Sequence, residues 1–422
     1  MPKYTPRLLY SDNSGKIFEE PGMEGAAMKA GQITRIDPTE LIALPEGSQL
    51  FMLPERLAIG YGGPAGDRMV SNGRFAVAAF LPPGYTATYS PAYIDDPRAM
   101  RLPLFSYCAA VSLKGRTFVT AVRVDRNKRH DSGLIEITSV KRNVKNFKKI
   151  FPKNRLIPHL ETCALTYGCP NAQNFFLSRY ECPLPTAPVC NARCAGCISY
   201  QPAKDICATQ PRIKFVPKPW EIAEIALYHI GKVKNPIVSF GQGCEGEPLT
   251  QAEIIEEAIR LIRGKTNKGI INLNTNGSRP DKVKNLINTG LDSIRISLNS
   301  ARALCYEKYY RPLGYGFADI VNSIKIAKRK GAFVSLNYLT MPGFTDLKDE
   351  YEAFRKLVSK TGIDMIQWRN LNYDPIRYFE LFGAKPSIGE MIGIRQEIAL
   401  LNKEFPKLRH GYFNPYLSSA RK

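Results

Sequence analysis

Histidine is scarce in this chain, four among 422 residues, and acidic side chains are outnumbered, 38 aspartates and glutamates against 59 lysines and arginines, for a net charge of +21. Long apolar runs are missing: none approaches the roughly 18 residues that span a bilayer. Met1 to Ser14 also lack the apolar stretch of a secretory signal. No membrane partner and a cytoplasmic location are therefore expected. Low-complexity tracts and internal repeats are absent too. Hydrophobic residues at 44% and charged residues at 23% sit in the ordinary globular range, which removes disordered and collagen-like readings. A chain of this length has room for two or three domains with sizeable cores. The basic excess would draw a polyanion and makes nucleic acid the first candidate partner, although net charge speaks to association rather than to function. Ten cysteines in a reducing compartment read as metal or catalytic ligands rather than as a disulfide framework.

Residues 1–150 read as a β-rich domain. Short runs such as Phe75 to Phe80 and Thr117 to Val122 alternate with Gly/Pro turns at Gly62-Gly63-Pro64 and Pro82-Pro83-Gly84. A basic connector ends it: Lys141 to Arg155 holds seven basic residues and no acid, with Val144, Phe147 and Phe151 at helical spacing. From Trp220 onward the pattern changes. Pro236 to Phe240, Gly269 to Leu273, Ser293 to Leu298, Phe333 to Tyr338 and Met365 to Trp368 are compact β-branched runs that read as buried parallel strands. Between them lie helical faces such as Phe317, Ile320, Val321, Ile324 and Ala327, and Val283, Leu286 and Ile287 ending at Gly290. The alternation predicts an α/β barrel, complete or partial, over residues 151–385. After Pro386 an amphipathic helix through Ile392, Ile394, Ile398 and Leu401 predicts a C-terminal helical extension, 386–422.

The chemistry concentrates just before the barrel helices. Pro188-Val-Cys190-Asn-Ala-Arg-Cys194-Ala-Gly-Cys197 sets three thiols at C-x3-C-x2-C spacing. A cubane in an electron carrier takes four cysteines, so three leave one iron open to an outside ligand. Zinc would ask for a fourth thiol or an imidazole, and the nearest histidines, His159 and His229, lie more than thirty residues away along the chain.

This pattern resembles the signature of the radical S-adenosylmethionine (radical SAM) superfamily, and other matches follow in order. Cys244-Glu-Gly246-Glu247-Pro-Leu resembles its Gly-Gly-Glu-Pro motif, Asn274-Thr-Asn276-Gly its Thr-Asn-Gly, and Leu291 to Ser300 the strand that offers polar groups to the ribose. The resemblance covers residues 180–375. It implies a partial (β/α)6-type TIM barrel, a [4Fe–4S] cluster on Cys190, Cys194 and Cys197, and reductive cleavage of S-adenosylmethionine to a 5′-deoxyadenosyl radical. It further implies a reductant of ferredoxin or flavodoxin type. Expected cofactor contacts are Gly246 and Glu247 toward the amine, Asn276 beside them, and Ser297 and Asn299 toward the ribose, while Arg369 reads either as a partner of the carboxylate or as a strand-end structural ion pair. Two departures stand out: Gly196 replaces the aromatic residue before the third cysteine, leaving adenine packing to Ile198 or Tyr200, and Glu245 replaces the first glycine of the Gly-Gly-Glu motif.

The other cysteines leave alternatives open. Cys163, Cys169, Cys182 and Cys207 flank the loop and read either as a second metal site or as core thiols. Cys305 reads as a hydrogen-atom donor or a small buried hydrophobe, and Cys108 as core. The basic charge and the open side of a partial barrel point to a macromolecular substrate, RNA or a protein or peptide. The competing classes are a nucleic-acid-binding protein whose cysteines staple a structural metal, and a ferredoxin-like carrier.

Overall fold

The computed structural model describes residues 5–62, 66–97, 99–201, 206–383 and 390–417. The turn expected at Gly63-Pro64 and the boundary at Pro386 lie outside them. Two compact units divide the chain: one comprises Met1–Arg126, Leu339–Arg355 and Trp368–Lys407, the other Asn127–Tyr338, Lys356–Gln367 and Leu408–Lys422.

The first unit is built on an antiparallel sheet whose strands run in the order Gln32–Arg35, Ile17–Lys29, Gln49–Gly62, Asp67–Phe80, Arg7–Ser11, Tyr107–Leu113, Arg116–Arg123 and Leu41–Ala43. The expected runs at Phe75 and Thr117 fall inside two of these strands. Their alternation sets the core: Val77, Ala79 and Leu81 share one face with Cys108, Ala110, Val119 and Ala121, while Ala76 and Ala78 face Met28, Tyr93 and Phe105 on the other. Cys108 is fully buried, as its apolar neighbours predicted.

A second sheet has seven strands, most of whose residues fall in the second unit: Glu181–Pro183, Ile237–Phe240, Ile270–Thr275, Ser293–Leu298, Phe333–Thr340, Met365–Asn370 and Arg409–Gly411, in chain order. Its strands pair in parallel, for example Val238 with Ile271 and Ile294 with Val334. Both faces are covered. Val238, Phe240, Ile271, Leu273, Ile294 and Ile296 are wholly buried, which is why these strands read as compact runs rich in β-branched residues. Helices Pro219–Lys232, Ala252–Arg263, Pro280–Thr289, Phe317–Arg329 and Lys348–Thr361 connect successive strands. Proline opens the first and third of these at a position where the missing N–H costs nothing. Gly290 closes the third with φ 133, a conformation open to glycine. The architecture is a partial TIM-type barrel.

The basic helix spans Ile137–Ile150 and buries Val140, Val144 and Phe147, with Phe147 packed edge-on against Phe175, Phe176 and Tyr228. Lys141, Arg142, Lys145 and Lys149 face solvent. At the far end, helix Ile394–Glu404 buries Ile394 and Leu401. The chain then adds Arg409–Gly411 parallel to Met365–Gln367, so the C-terminal segment is not helical alone. No helix among the described residues is long and apolar enough to cross a membrane.

Candidate active site

The loop bearing Cys190, Cys194 and Cys197 follows the first barrel strand and is fastened from three directions. The Gly246 amide donates to the Ala187 carbonyl at 2.6 Å and the Glu247 amide to Val189 at 2.9 Å. Side-chain room at Gly246 is nil: a Cβ there would stand 1.9 Å from the Val189 carbonyl oxygen and 3.1 Å from the Cys190 nitrogen. From the third strand's end, Asn276 Nδ2 donates to Asn191 Oδ1 and Asn191 Nδ2 to Ser278 Oγ, each at 2.9 Å. From helix Ala303–Tyr310, the Tyr310 and Tyr309 carbonyls accept from the Arg193 and Ala195 amides at 3.0 and 2.9 Å. The three thiols share one field. Burial, then the charge of Cys197 and Cys190, pushes Cys194 well up. Burial, then Glu247, raises Cys190 to about 11. Cys197 receives Arg212 Nη2 at 3.8 Å and lies 3.5 Å from the Ser199 hydroxyl.

The two glutamates of the next motif have different tasks. Glu245 is buried and accepts four backbone N–H groups, from Thr186 at 2.7 Å, Ala187 at 2.9 Å, Gly241 at 2.8 Å and Gln242 at 2.6 Å. It therefore ties the strand-end turn to the residues leading into the cysteine loop. Glu247 accepts from Leu249 N at 3.0 Å, from the Thr275 hydroxyl and from Asn276 N at 2.8 Å. A carboxylate has about four acceptor positions, so one on Oε2 remains for a further donor. Burial lifts this carboxyl to about 7 against the pull of those donors.

Residues 184–358 match the family model described as the Radical SAM superfamily. Over this segment the chain resembles the radical SAM superfamily. No curated protein matches the chain. Solved structures similar to it include native anSMEcpe with bound AdoMet, at 14% identity and TM-score 0.35 over 46% of this chain and 52% of that one. HydG, the FeFe-hydrogenase maturase from Carboxydothermus hydrogenoformans, matches at 14% and 0.38 over 64% and 69%. A cysteine-to-serine mutant of spore photoproduct lyase matches at 16% and 0.39 over 54% and 74%. The chain thus spans about half the length of the first of these.

Radical SAM proteins use a [4Fe–4S] cluster with S-adenosylmethionine, and the residues present fit that pair. Three thiols sit on one loop within each other's electrostatic reach, a guanidinium and a hydroxyl reach one sulfur, and a buried carboxylate with one acceptor position left stands beside Cys190. Of the other expected contacts in this segment, Asn276 is committed to Asn191 and Glu247, Ser297 Oγ accepts from Asn337 at 3.4 Å, and Asn299 is fully buried with Nδ2 on the Cys305 carbonyl at 3.4 Å. Cys305 itself is half-buried in helix Ala303–Tyr310. Arg369 belongs to the first unit, where its carbonyl accepts from Thr340 at 3.0 Å. Tyr200 is half exposed with the Arg212 guanidinium 5.0 Å over its ring, and Ile198 lies against Gly243. Sequence reasoning missed a tyrosine group. Tyr306 and Tyr310 stack at 4.5 Å, Tyr306 reaches Tyr315 hydroxyl to hydroxyl at 3.4 Å, and burial, with the nearby charges of Cys194 and Glu247, holds Tyr306 and Tyr315 protonated. The signal available was the dense run Tyr306-Glu-Lys-Tyr309-Tyr310.

The flanking cysteines differ in burial. Cys182 is buried in the first strand, Cys207 is exposed, and Cys169 is half-buried at the start of helix Pro170–Phe176. Cys163 is instead brought to Cys244 and His159, a pairing the linear spacing does not reveal.

Proposed function

We propose that this chain is a radical enzyme that holds a [4Fe–4S] cluster on Cys190, Cys194 and Cys197, cleaves S-adenosylmethionine there, and acts on a macromolecular substrate. The observation that carries the reading is a single loop bearing three thiols and clamped by Gly246, Glu247 and Asn276. Bound together, cluster and S-adenosylmethionine supply one-electron cleavage of the sulfonium carbon–sulfur bond, with the electron coming from an outside reductant of ferredoxin or flavodoxin type. The protein supplies placement. Glu247, with one acceptor position left and little solvent around it, is suited to a methionyl ammonium, a charge-assisted contact. Gly246 presents bare backbone beside it, Asn276 keeps the loop in register, and Ser297 and Asn299 offer polar groups at the end of the fourth barrel strand for the ribose. Arg369 is assigned to the methionyl carboxylate, and Cys305 to hydrogen-atom donation toward the substrate. A macromolecular substrate is supported by the net charge of +21 and by the exposed cationic face of helix Ile137–Ile150.

The test is direct. Anaerobically reconstituted protein with dithionite and S-adenosylmethionine should release 5′-deoxyadenosine, and Cys190→Ala, Cys194→Ala or Cys197→Ala should each abolish it. Undiminished product from Cys194→Ala sinks the assignment.

A further inference from the structure

Helix Leu156–Leu165 carries His159 and Cys163 four residues apart, on one face. Cys244 comes from the turn after the second barrel strand, immediately before Glu245. His159 Nε2 lies 3.3 Å from Cys244 Sγ and 3.7 Å from Cys163 Sγ, and the three ligand atoms all fall within 4.8 Å of one another. Cys163 and Cys244 are 2% and 5% exposed. Among the described residues this is the one group of three or more such side chains close enough to share an ion.

The spacing suits a single tetrahedral ion. With Zn–S about 2.3 Å and Zn–N about 2.0–2.1 Å, a tetrahedron has N···S edges of about 3.6 Å and S···S edges of about 3.8 Å. The two N···S separations bracket that edge. An apolar trio would pack the same space without weakly hydrogen-bonding thiols, whereas thiolate and imidazole together select zinc.

We propose that His159, Cys163 and Cys244 bind one zinc ion, distinct from the cysteine-loop cluster, with water in the fourth position. The ion ties helix Leu156–Leu165 to the turn that presents Glu245 and Glu247. Since Glu245 in turn holds Thr186 and Ala187, the zinc site positions the cysteine loop from behind. This differs from a second site on Cys163, Cys169, Cys182 and Cys207, of which it keeps only the first. It does not depend on the loop binding a cluster.

The experiment uses the full chain with Cys190→Ala, Cys194→Ala and Cys197→Ala, titrated anaerobically with Co²⁺. One equivalent should bind with intense tetrahedral d–d bands and a thiolate charge-transfer band, and zinc should bleach both. Adding Cys163→Ala and Cys244→Ala should abolish the bands, and His159→Ala should weaken binding by about tenfold or more. A folded triple variant without these bands, or bands that survive loss of Cys163 and Cys244, overturns the proposal. So does a Cys163–Cys244 disulfide, read as two fewer titratable thiols. If the triple variant does not fold, zinc is measured in wild-type protein as isolated and in Cys163→Ala/Cys244→Ala with the loop intact. Equal zinc in the two refutes the site, and zinc lost with iron retained supports it.

Discussion

Replacing Gly246 by alanine tests how the cysteine loop is held. The added Cβ would stand 1.9 Å from the Val189 carbonyl oxygen, 2.4 Å from its carbon and 3.1 Å from the Cys190 nitrogen, where ordinary contacts begin at 3.4 Å. All three neighbours are backbone, so no side-chain rotation relieves the clash, and Val189 must retreat by about 1.5 Å with Cys190 attached. The bonds lost are Gly246 N to Ala187 O and Glu247 N to Val189 O. At about 0.5–1.5 kcal/mol net each, they cost about 1–3 kcal/mol, within the stability of an ordinary domain, so the variant folds. Function suffers more than stability, because a displacement of about 1 Å in a positioned group can cost about 100-fold in rate. Iron and sulfide content after anaerobic reconstitution, thermal unfolding and 5′-deoxyadenosine release are measured on the same preparations. Gly243→Ala is the control for added bulk alone: its Cβ would meet only side-chain ends, Gln210 at 2.3 Å and Ile198 at 3.0 Å, which can swing away where backbone cannot. A Gly246→Ala protein with full iron content and wild-type product formation would refute the clamp.

Glu245→Ala leaves four buried N–H groups without their acceptor and is expected to cost about 3–5 kcal/mol, read as a fall in urea midpoint at unchanged m-value. Burial pushes the His229 imidazole, 1% exposed with Nε2 3.2 Å from the Tyr180 carbonyl, down to about 4 from 6.5. Between those values the unfolded chain binds the extra proton, so stability is full above 6.5 and falls with pH toward 4. About 2 kcal/mol should be gone at pH 5, and His229→Gln should remove that dependence; parallel urea curves for the two proteins at pH 5 and 7.5 would count against it. If the cationic helix tracks a single-stranded phosphate backbone, affinity for RNA falls steeply with salt. Neutralising Lys141, Lys145 and Lys149 should then reduce the logarithmic slope by about 2, whereas a salt-insensitive complex points to a peptide substrate.

The sequence determined a good deal by itself. The loop from Cys190 to Cys197 was legible because metal chemistry fixes local spacing, and the barrel strands because burial favours compact runs rich in β-branched residues such as Pro236 to Phe240. The stop at Gly290 could be read because a left-handed helix end favours glycine. Other features exist only once distant segments meet. Glu245 looked like a stray charge near a cofactor until the fold supplied four backbone donors to it. Asn191 is unremarkable until Asn276 and Ser278, more than 80 positions away, close on its amide. Cys163 was grouped with its chain neighbours, but a helix face and a strand-end turn set it against His159 and Cys244. The short edge strand Arg409–Gly411 has too few residues to show a period, and only the free edge of Met365–Gln367 gives it a partner. Local spacing encodes what one segment must do for a ligand, while hydrogen-bond partners across the chain are chosen by packing, which linear order does not display.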